Sequence, residues 1–188
     1  MTLHIVVSGA PGTGKTTVAA LLAERLVLPL LSLDVIKEAL GDSLGLGDEE
    51  WSDRMGDAAA AVLFDLAAAF PGAVVEGWWR RARRDRAIQE FAGWIEVFCH
   101  CEPRVAEERM RVRAATDRHP IHRDAINPNL PSQIGAVVAS VTPLFLGSEL
   151  IELDTTEPLD PEGTVAAVRS ALDRAVGGCH AGGRERPD

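Results

Sequence analysis

Short runs of apolar residues alternate along this chain with longer segments whose apolar residues recur at helical spacing. The apolar runs predict β-strands at residues 3–8, 28–33, 73–75, 94–101 and 149–153. The periodic segments predict helices at residues 15–26, 35–40, 48–70, 84–91, 102–115, 132–140 and 161–176. Buried strands that are separated by helices are typical of a parallel sheet covered on both faces. The pattern therefore predicts an α/β fold, a three-layer sandwich around a five-stranded parallel sheet.

Chain length and proline placement set the expected domain organisation. A chain of 188 residues with 46% hydrophobic content can bury one sheet, and we assign one domain to residues 1–176. Residues 116–131 carry three prolines and few apolar side chains, so we expect a lid that spans about 109–131. The tail, residues 177–188, is predicted to be disordered.

The segment GAPGTGKTT stands between the first predicted strand and the first predicted helix. It matches the phosphate-binding pattern G-x-x-x-x-G-K-[ST] in full, in the strand–turn–helix setting that the pattern requires. Backbone N–H groups of such a turn bind phosphate oxygens, Lys15 is expected to reach the β- and γ-phosphates, and the Thr16 hydroxyl is expected to coordinate Mg²⁺. No guanine-reading N-K-x-D sequence occurs, which favours ATP. The predicted nucleotide-binding residues here are Gly9, Ala10, Pro11, Gly12, Thr13, Gly14, Lys15, Thr16 and Thr17.

Two acidic residues follow apolar strands, Asp34 after LPLLSL and Glu76 after AVV. Ligands of an open parallel sheet bind beyond the carboxyl ends of its strands, so both carboxylates are expected to face the phosphates. One is expected to hold Mg²⁺ through water and the other to orient or deprotonate an acceptor hydroxyl. The sequence leaves open which carboxylate has which role.

Charge is unevenly distributed along the chain. The net charge of −9 disfavours nucleic acid as a partner, although residues 80–123 carry eleven arginines against seven acidic residues. Arg109 and Arg113 lie four residues apart on one predicted helix and Arg118 lies beyond its end, so they are candidates for stabilising charge during phosphoryl transfer.

Cysteine usage and hydropathy indicate a cytoplasmic protein. Three cysteines do not make a disulfide framework, and no apolar run approaches the roughly 20 residues that cross a bilayer. Strand alternation explains the sequence Cys99-His100-Cys101 better than a metal site does. His119 and His122 are candidate substrate contacts, because Pro120 between them disfavours a helical metal pair.

Together these motifs resemble the small P-loop kinases, a group that includes nucleoside monophosphate, gluconate and shikimate kinases, chloramphenicol phosphotransferase and polynucleotide 5′-hydroxyl kinase. VVEGWWR (residues 74–80) resembles their third strand, which implies that Glu76 and Arg80 lie near the acceptor. EERMRVRAATDRH resembles their lid helix, which implies that Arg109, Arg113 and Arg118 close over ATP.

Three further segments extend the resemblance. LDTTEPLD resembles the loop that lies against adenine, which implies a nucleotide contact by Thr155. SLDVIKEAL and RHPIH are similar to a set of bacterial AAA_33-like predicted kinases. The chain departs from shikimate kinases in having one carboxylate, Asp34, on its second strand, and from adenylate kinases in lacking paired lid aspartates. A nucleoside monophosphate acceptor is therefore disfavoured.

The acceptor pocket is expected to have an aromatic wall, which suits a sugar or an aromatic alcohol. Candidates for this wall are Trp51, Arg54, Met55, Trp78 and Trp79. Because adjacent residues of an extended segment point to opposite sides, one of Trp78 and Trp79 is expected in the core. The predicted acceptor-binding residues are Asp34, Trp51, Arg54, Glu76, Trp79, Arg80 and His119.

These observations predict an ATP- and Mg²⁺-dependent phosphotransferase acting on a hydroxyl of a sugar, an antibiotic or a related metabolite, as a monomer or homodimer. The predicted catalytic residues are Lys15, Asp34, Glu76, Arg113 and Arg118. Two alternatives stay open. One is a kinase of polynucleotide 5′-hydroxyls or of nucleotides, and the other is a P-loop ATPase or switch that transfers phosphate only to water.

Overall fold

A computed structural model describes residues 3–79, 81–116, 118–123 and 130–178. Its five strands are β1 (Leu3–Gly9), β2 (Leu30–Ser32), β3 (Gly72–Glu76), β4 (Ile95–His100) and β5 (Leu150–Asp154). They are ordered β2-β3-β1-β4-β5, and every neighbouring pair is parallel. The predicted five-stranded parallel sheet is confirmed, and β1, which leads into the glycine-rich turn, lies at its centre.

Helices cover both faces of this sheet. They are α1 (Lys15–Leu26), α2 (Leu33–Leu44), α3 (Glu49–Ala69), α4 (Arg81–Glu90), α5 (Pro103–Ala114), α6 (Leu130–Ser140) and α7 (Pro161–Gly178). Successive β1 residues point to opposite faces, so Val6 packs with α3 and α4 while Val7 packs with α1 and α7. The predicted three-layer sandwich is thereby confirmed. None of the helices that the structure describes is long and apolar enough to cross a membrane.

Helix α2 is longer than the sequence predicts. We expected a helix over residues 35–40 followed by a loop, because GDSLGLG is rich in helix breakers, but the helix continues to Leu44. Gly41 lies inside it, where an added Cβ would be 3.0 Å from Cδ1 of Ile121. The glycine therefore gives Ile121, which is 2% exposed, room to pack against the helix.

The region of the predicted lid contains more helix than expected. A short 3-10 helix, Pro120–His122, follows α5, and α6 packs back on α5 through Ala106, Met110 and Ile134. Residues 117 and 124–129 of the predicted lid lie outside the described residues. Helix α7 includes residues 177–178 of the predicted tail, and residues 179–188 also lie outside the described part.

Candidate active site

The turn between β1 and α1 has the backbone conformation of a phosphate-binding loop. Gly12 and Gly14 adopt φ values of 80° and 74°, a left-handed region that favours glycine. A Cβ on Gly12 would lie 2.7 Å from the carbonyl oxygen of Ala106, so the loop packs directly against α5. Gly14 is the N-cap of α1, so a phosphate held by this loop would lie at a helix N-terminus.

Lys15 is the charged group of this loop. Its side chain is 8% exposed, and Nζ donates a hydrogen bond of 2.8 Å to the carbonyl of Ala10. Burial lowers the pKa of Lys15, and the charges of Glu76 and Asp34 oppose that shift. The ammonium group thus shares one site with the two carboxylates that the sequence places at strand ends.

Glu76 connects the ends of two strands to the first turn of α1. It is the last residue of β3 and 4% exposed, and it accepts hydrogen bonds from Thr16 Oγ1 at 3.2 Å and Ser32 Oγ at 2.8 Å. A carboxylate beside a hydroxyl supplies the oxygen ligands that Mg²⁺ prefers, so these residues fit the implied ion. Within the described residues no group of three or more His, Cys, Asp or Glu is placed to hold a metal.

Asp34, in the first turn of α2, has arginine neighbours. Oδ2 accepts from Arg118 at 3.0 Å and from Arg113 at 3.5 Å. Burial acts to raise the pKa of Asp34, but the charges of His122, Arg118 and Arg113 outweigh it and hold the pKa below its usual value. Burial lowers the pKa of His122, and the charge of Asp34 opposes that shift.

The RHPIH segment, residues 118–122, follows α5 and contacts α2 through its polar side chains. Arg118 Nη1 donates to Glu38 at 3.4 Å, and His122 Nε2 lies 2.8 Å from the same Oε1. His119 Nε2 lies 3.0 Å from Oδ1 of Asp42. His119, which we predicted at the acceptor, does not line the main cavity and lies beside a second cleft that also contacts Arg113 and Arg118.

Arg109 and Thr155 both contact the phosphate-binding loop. Arg109 donates from Nη1 to the carbonyl of Gly12 at 3.3 Å and from Nη2 to the carbonyl of Thr155 at 2.7 Å. Thr155 Oγ1 in turn donates to the carbonyl of Thr13 at 2.9 Å. The structure thus brings together the lid helix, the loop after β5 and the glycine-rich turn, as expected for the nucleotide side of the site.

A cavity of about 310 Å³ opens beside the loop. Its volume is at the lower end of the range for small-molecule sites. All five predicted catalytic residues line it, namely Lys15, Asp34, Glu76, Arg113 and Arg118.

One face of α3 forms a wall of this cavity that we did not predict. Its lining residues are Glu49, Ser52, Asp53 and Gly56, and Lys37, Trp78 and Arg83 join them from neighbouring elements. Positions i, i+3, i+4 and i+7 share a helix face, so a run of polar or small residues at this spacing is a signal that could have identified the α3 wall.

Of the residues predicted to form an aromatic wall, Trp78 lines this cavity, whereas Trp51, Arg54, Met55 and Trp79 do not. Because α3 turns residues 49, 52, 53 and 56 toward the cavity, Trp51 and Arg54 lie on its outer surface, with the guanidinium 5.1 Å from the ring centroid. Met55 is 7% exposed and does not line the cavity. Trp79 is 6% exposed and packs in the core, and Arg80 lies outside the described residues.

Comparisons with known proteins agree with this fold. A shikimate kinase from Rhodopirellula baltica is 29% identical over 157 residues, which cover 81% of this chain and 82% of the relative. A candidate kinase of known structure from Chloroflexus aurantiacus is 34% identical, covers 91% of this chain and 98% of its own, and superposes with a TM-score of 0.80. A gluconokinase from Sinorhizobium meliloti has the same fold, with a TM-score of 0.63, 20% identity and coverage of 97% and 98%.

Residues 5–128 match the AAA_33 family, which is described as an AAA domain. That match spans more than half of the chain and includes the glycine-rich turn, both strand-end carboxylates and the arginines of α5. The chain therefore belongs to the AAA_33 family and is a small P-loop kinase.

Proposed function

We propose that the five predicted catalytic residues that line the cavity carry out phosphoryl transfer from ATP to a hydroxyl group of an acceptor bound in that cavity. The chain is an ATP-dependent kinase with an alcohol acceptor. The observation that carries the assignment of roles is that the loop lysine, both strand-end carboxylates and two lid arginines line one space of about 310 Å³.

Each residue has a distinct part in this scheme. Loop N–H groups and Lys15 bind the ATP phosphates, and Thr16 with Glu76 would hold Mg²⁺, which neutralises phosphate charge when bound. Asp34 aligns the acceptor hydroxyl and accepts its proton, because its lowered pKa keeps it ionised. Arg113 and Arg118 contact Asp34 in the structure. In the reaction they stabilise charge on the transferred group.

The acceptor we propose is a small polyhydroxylated molecule, a class that includes sugars, antibiotics and related metabolites. Relatives of this chain include shikimate kinases and its structural neighbours include a gluconokinase. The carboxylates of Glu49 and Asp53 on the cavity wall disfavour a polynucleotide end, and so does the net charge of −9. We place the reaction in the cytoplasm, where ATP and Mg²⁺ are supplied.

ADP release tests this function directly. The purified chain is assayed with ATP and Mg²⁺ alone and then with pools of sugars, sugar acids, aminoglycosides, nucleosides and 5′-hydroxyl oligonucleotides. We expect turnover that depends on a small-molecule pool and is lost in Lys15→Met. Steady hydrolysis that no pool changes would support the ATPase alternative, and turnover with oligonucleotides alone would support a nucleic-acid kinase.

A further inference from the structure

The side chain of Arg83 enters the cavity from α4, whereas the phosphate-binding groups enter it from the turn between β1 and α1. We infer that Arg83 is a second anchor of the acceptor site and binds an anionic group, a carboxylate or a phosphate, on the hydroxyl compound that is phosphorylated. This inference rests on the proposed function and specifies the acceptor as a hydroxy acid or a phosphorylated alcohol.

The guanidinium of Arg83 is held in a fixed orientation. The side chain is 14% exposed, Nε donates to Oδ1 of Asp57 at 2.5 Å, and Nη2 donates to the carbonyl of Asp53 at 3.3 Å. These hydrogen bonds use Nε and Nη2, and Nη1 donates to none of the residues that the structure describes. A planar guanidinium that is fixed through two nitrogens can still bind an anion through its remaining donors, and Arg is well suited to such recognition.

Gly56 provides the space that Arg83 occupies. A Cβ at this position would lie 2.5 Å from Nη2 and 3.0 Å from Cζ of Arg83, so the guanidinium packs directly on the backbone of α3. Glycine is less favourable than alanine within a helix, and Gly56 is followed by four alanines within five residues. The contact with Arg83 thus explains why glycine occupies this position of α3.

Neighbouring charges restrict what can bind beside Arg83. Lys37 reaches the same cavity from α2, with Nζ 2.8 Å from Oγ of Ser52, and adds positive potential. The carboxylates of Glu49 and Asp53 also line the cavity and repel an extended polyanion. This arrangement favours an acceptor with one compact anionic group and uncharged hydroxyls elsewhere.

Matched acceptor pairs test the inference. kcat/KM is measured for D-gluconate against D-glucitol, shikimate against its methyl ester, and a wider panel of hydroxy acids and sugar phosphates against their neutral counterparts. We expect the wild-type chain to prefer the anionic member of a pair. In Arg83→Gln the KM of that member should rise about 10- to 100-fold, while the KM values of the neutral member and of ATP change little.

Two further variants separate a binding role from a folding role. Gly56→Ala keeps the charge of Arg83 and favours the helix but displaces the guanidinium, so it should raise the KM of the anionic acceptor selectively. Arg86→Gln removes an arginine of the same helix that pairs with Glu90 and does not line the cavity, and it should leave acceptor preference unchanged.

The outcomes distinguish this inference from the proposed function. Turnover of neutral compounds with no preference for their anionic partners, or an equal loss for both in Arg83→Gln, would overturn the anionic subsite and leave the kinase intact. Absence of acceptor-dependent ADP release from every compound would reject the proposed function and the subsite together. Selective loss in both Arg83→Gln and Gly56→Ala would support both.

Discussion

The hydroxyl of Thr16 donates a hydrogen bond of 3.2 Å to Oε1 of Glu76, so the first turn of α1 and the end of β3 meet at one carboxylate. The other oxygen of Glu76 accepts from Ser32 at 2.8 Å. Asp34, in contrast, contacts arginines of the segment that follows β4. The two strand-end carboxylates therefore have different neighbours, and their substitution should affect different steps.

Glu76→Gln should raise the Mg²⁺ requirement. The amide keeps the size of the side chain but removes the charge beside the Thr16 hydroxyl, and loss of such a partner weakens metal binding about 10- to 100-fold. Activity titrated with Mg²⁺ at fixed ATP should therefore reach half of its maximum at a correspondingly higher concentration. Asp34→Asn, titrated in parallel, should keep the wild-type midpoint. Equal midpoints for Glu76→Gln and the wild type would remove Glu76 from the metal site.

Asp34→Asn should lower kcat and leave ATP affinity almost unchanged. An asparagine retains the shape of the side chain but cannot accept the acceptor proton, and loss of a general base typically costs about 10²- to 10⁴-fold. The matched control is Asp42→Asn, because Asp42 lies on the same helix but contacts His119 and does not line the cavity. Steady-state kinetics should show near-normal turnover for Asp42→Asn. A normal kcat for Asp34→Asn would show that the hydroxyl is activated elsewhere.

The pH dependence of turnover should report the contact between Arg118 and Asp34. Because the pKa of Asp34 is lowered, kcat/KM of the wild type should hold through the usual aspartate range near about pH 4 and fall only below it. Arg118→Gln removes a cation while the burial of Asp34 still acts to raise its pKa, so the acid limb should move to higher pH. A profile of kcat/KM against pH, measured for the wild type and for Arg118→Gln, gives the pH of each acid limb.

Arg118→Gln should also change how the stability of the fold depends on pH. A carboxyl group whose folded pKa is lowered contributes stability above its unfolded pKa, and that stability is lost as pH falls through the folded pKa. Arg118→Gln should therefore reduce the melting temperature more at neutral pH than in strong acid. Arg111→Gln, on the exposed face of α5 and paired with Glu108, is the control for both measurements. Coincident acid limbs for the two variants would exclude a charge effect of Arg118 on Asp34.

The nucleotide side of this site could be predicted because its determinants are local in sequence. Gly12, Gly14 and Lys15 lie within four residues between a strand and a helix, and the motif itself specifies the backbone. Asp34 and Glu76 could be placed because the carboxyl ends of parallel strands meet at one edge of the sheet. These rules need no knowledge of how the helices rotate on the sheet.

The acceptor side could not be predicted in the same way because it depends on the rotation of α3. Contacts across long stretches of sequence fix that rotation, among them Ser52 Oγ donating to the carbonyl of Ile121 at 2.7 Å and Arg83 packing on Gly56. Trp51 was predicted in the pocket from its residue type, which does not specify the face of a helix that a side chain occupies. Alternation along the chain indicated that one of Trp78 and Trp79 lies in the core but did not specify which one.

Glu96 forms a second buried carboxylate site, which has a structural role. It is 1% exposed in β4, and it accepts from Ser8 Oγ at 2.5 Å, Leu144 N at 2.8 Å and Phe145 N at 2.9 Å. One side chain thus satisfies two backbone donors of the segment after α6, where Phe145 adopts a left-handed φ of 60°. Because Glu96 does not line the cavity, its contribution should be to stability alone.

Glu96→Gln should therefore destabilise the fold by about 2–5 kcal/mol, since an amide cannot accept all three hydrogen bonds and leaves a buried donor unpaired. Urea denaturation measures this loss, and the KM values of the folded variant should match the wild type. Glu152→Gln makes the same change at an exposed position of β5 and should cost less than about 0.5 kcal/mol. If both variants unfolded at the same urea concentration, the carboxylate of Glu96 would not be what holds the segment after α6 against the sheet.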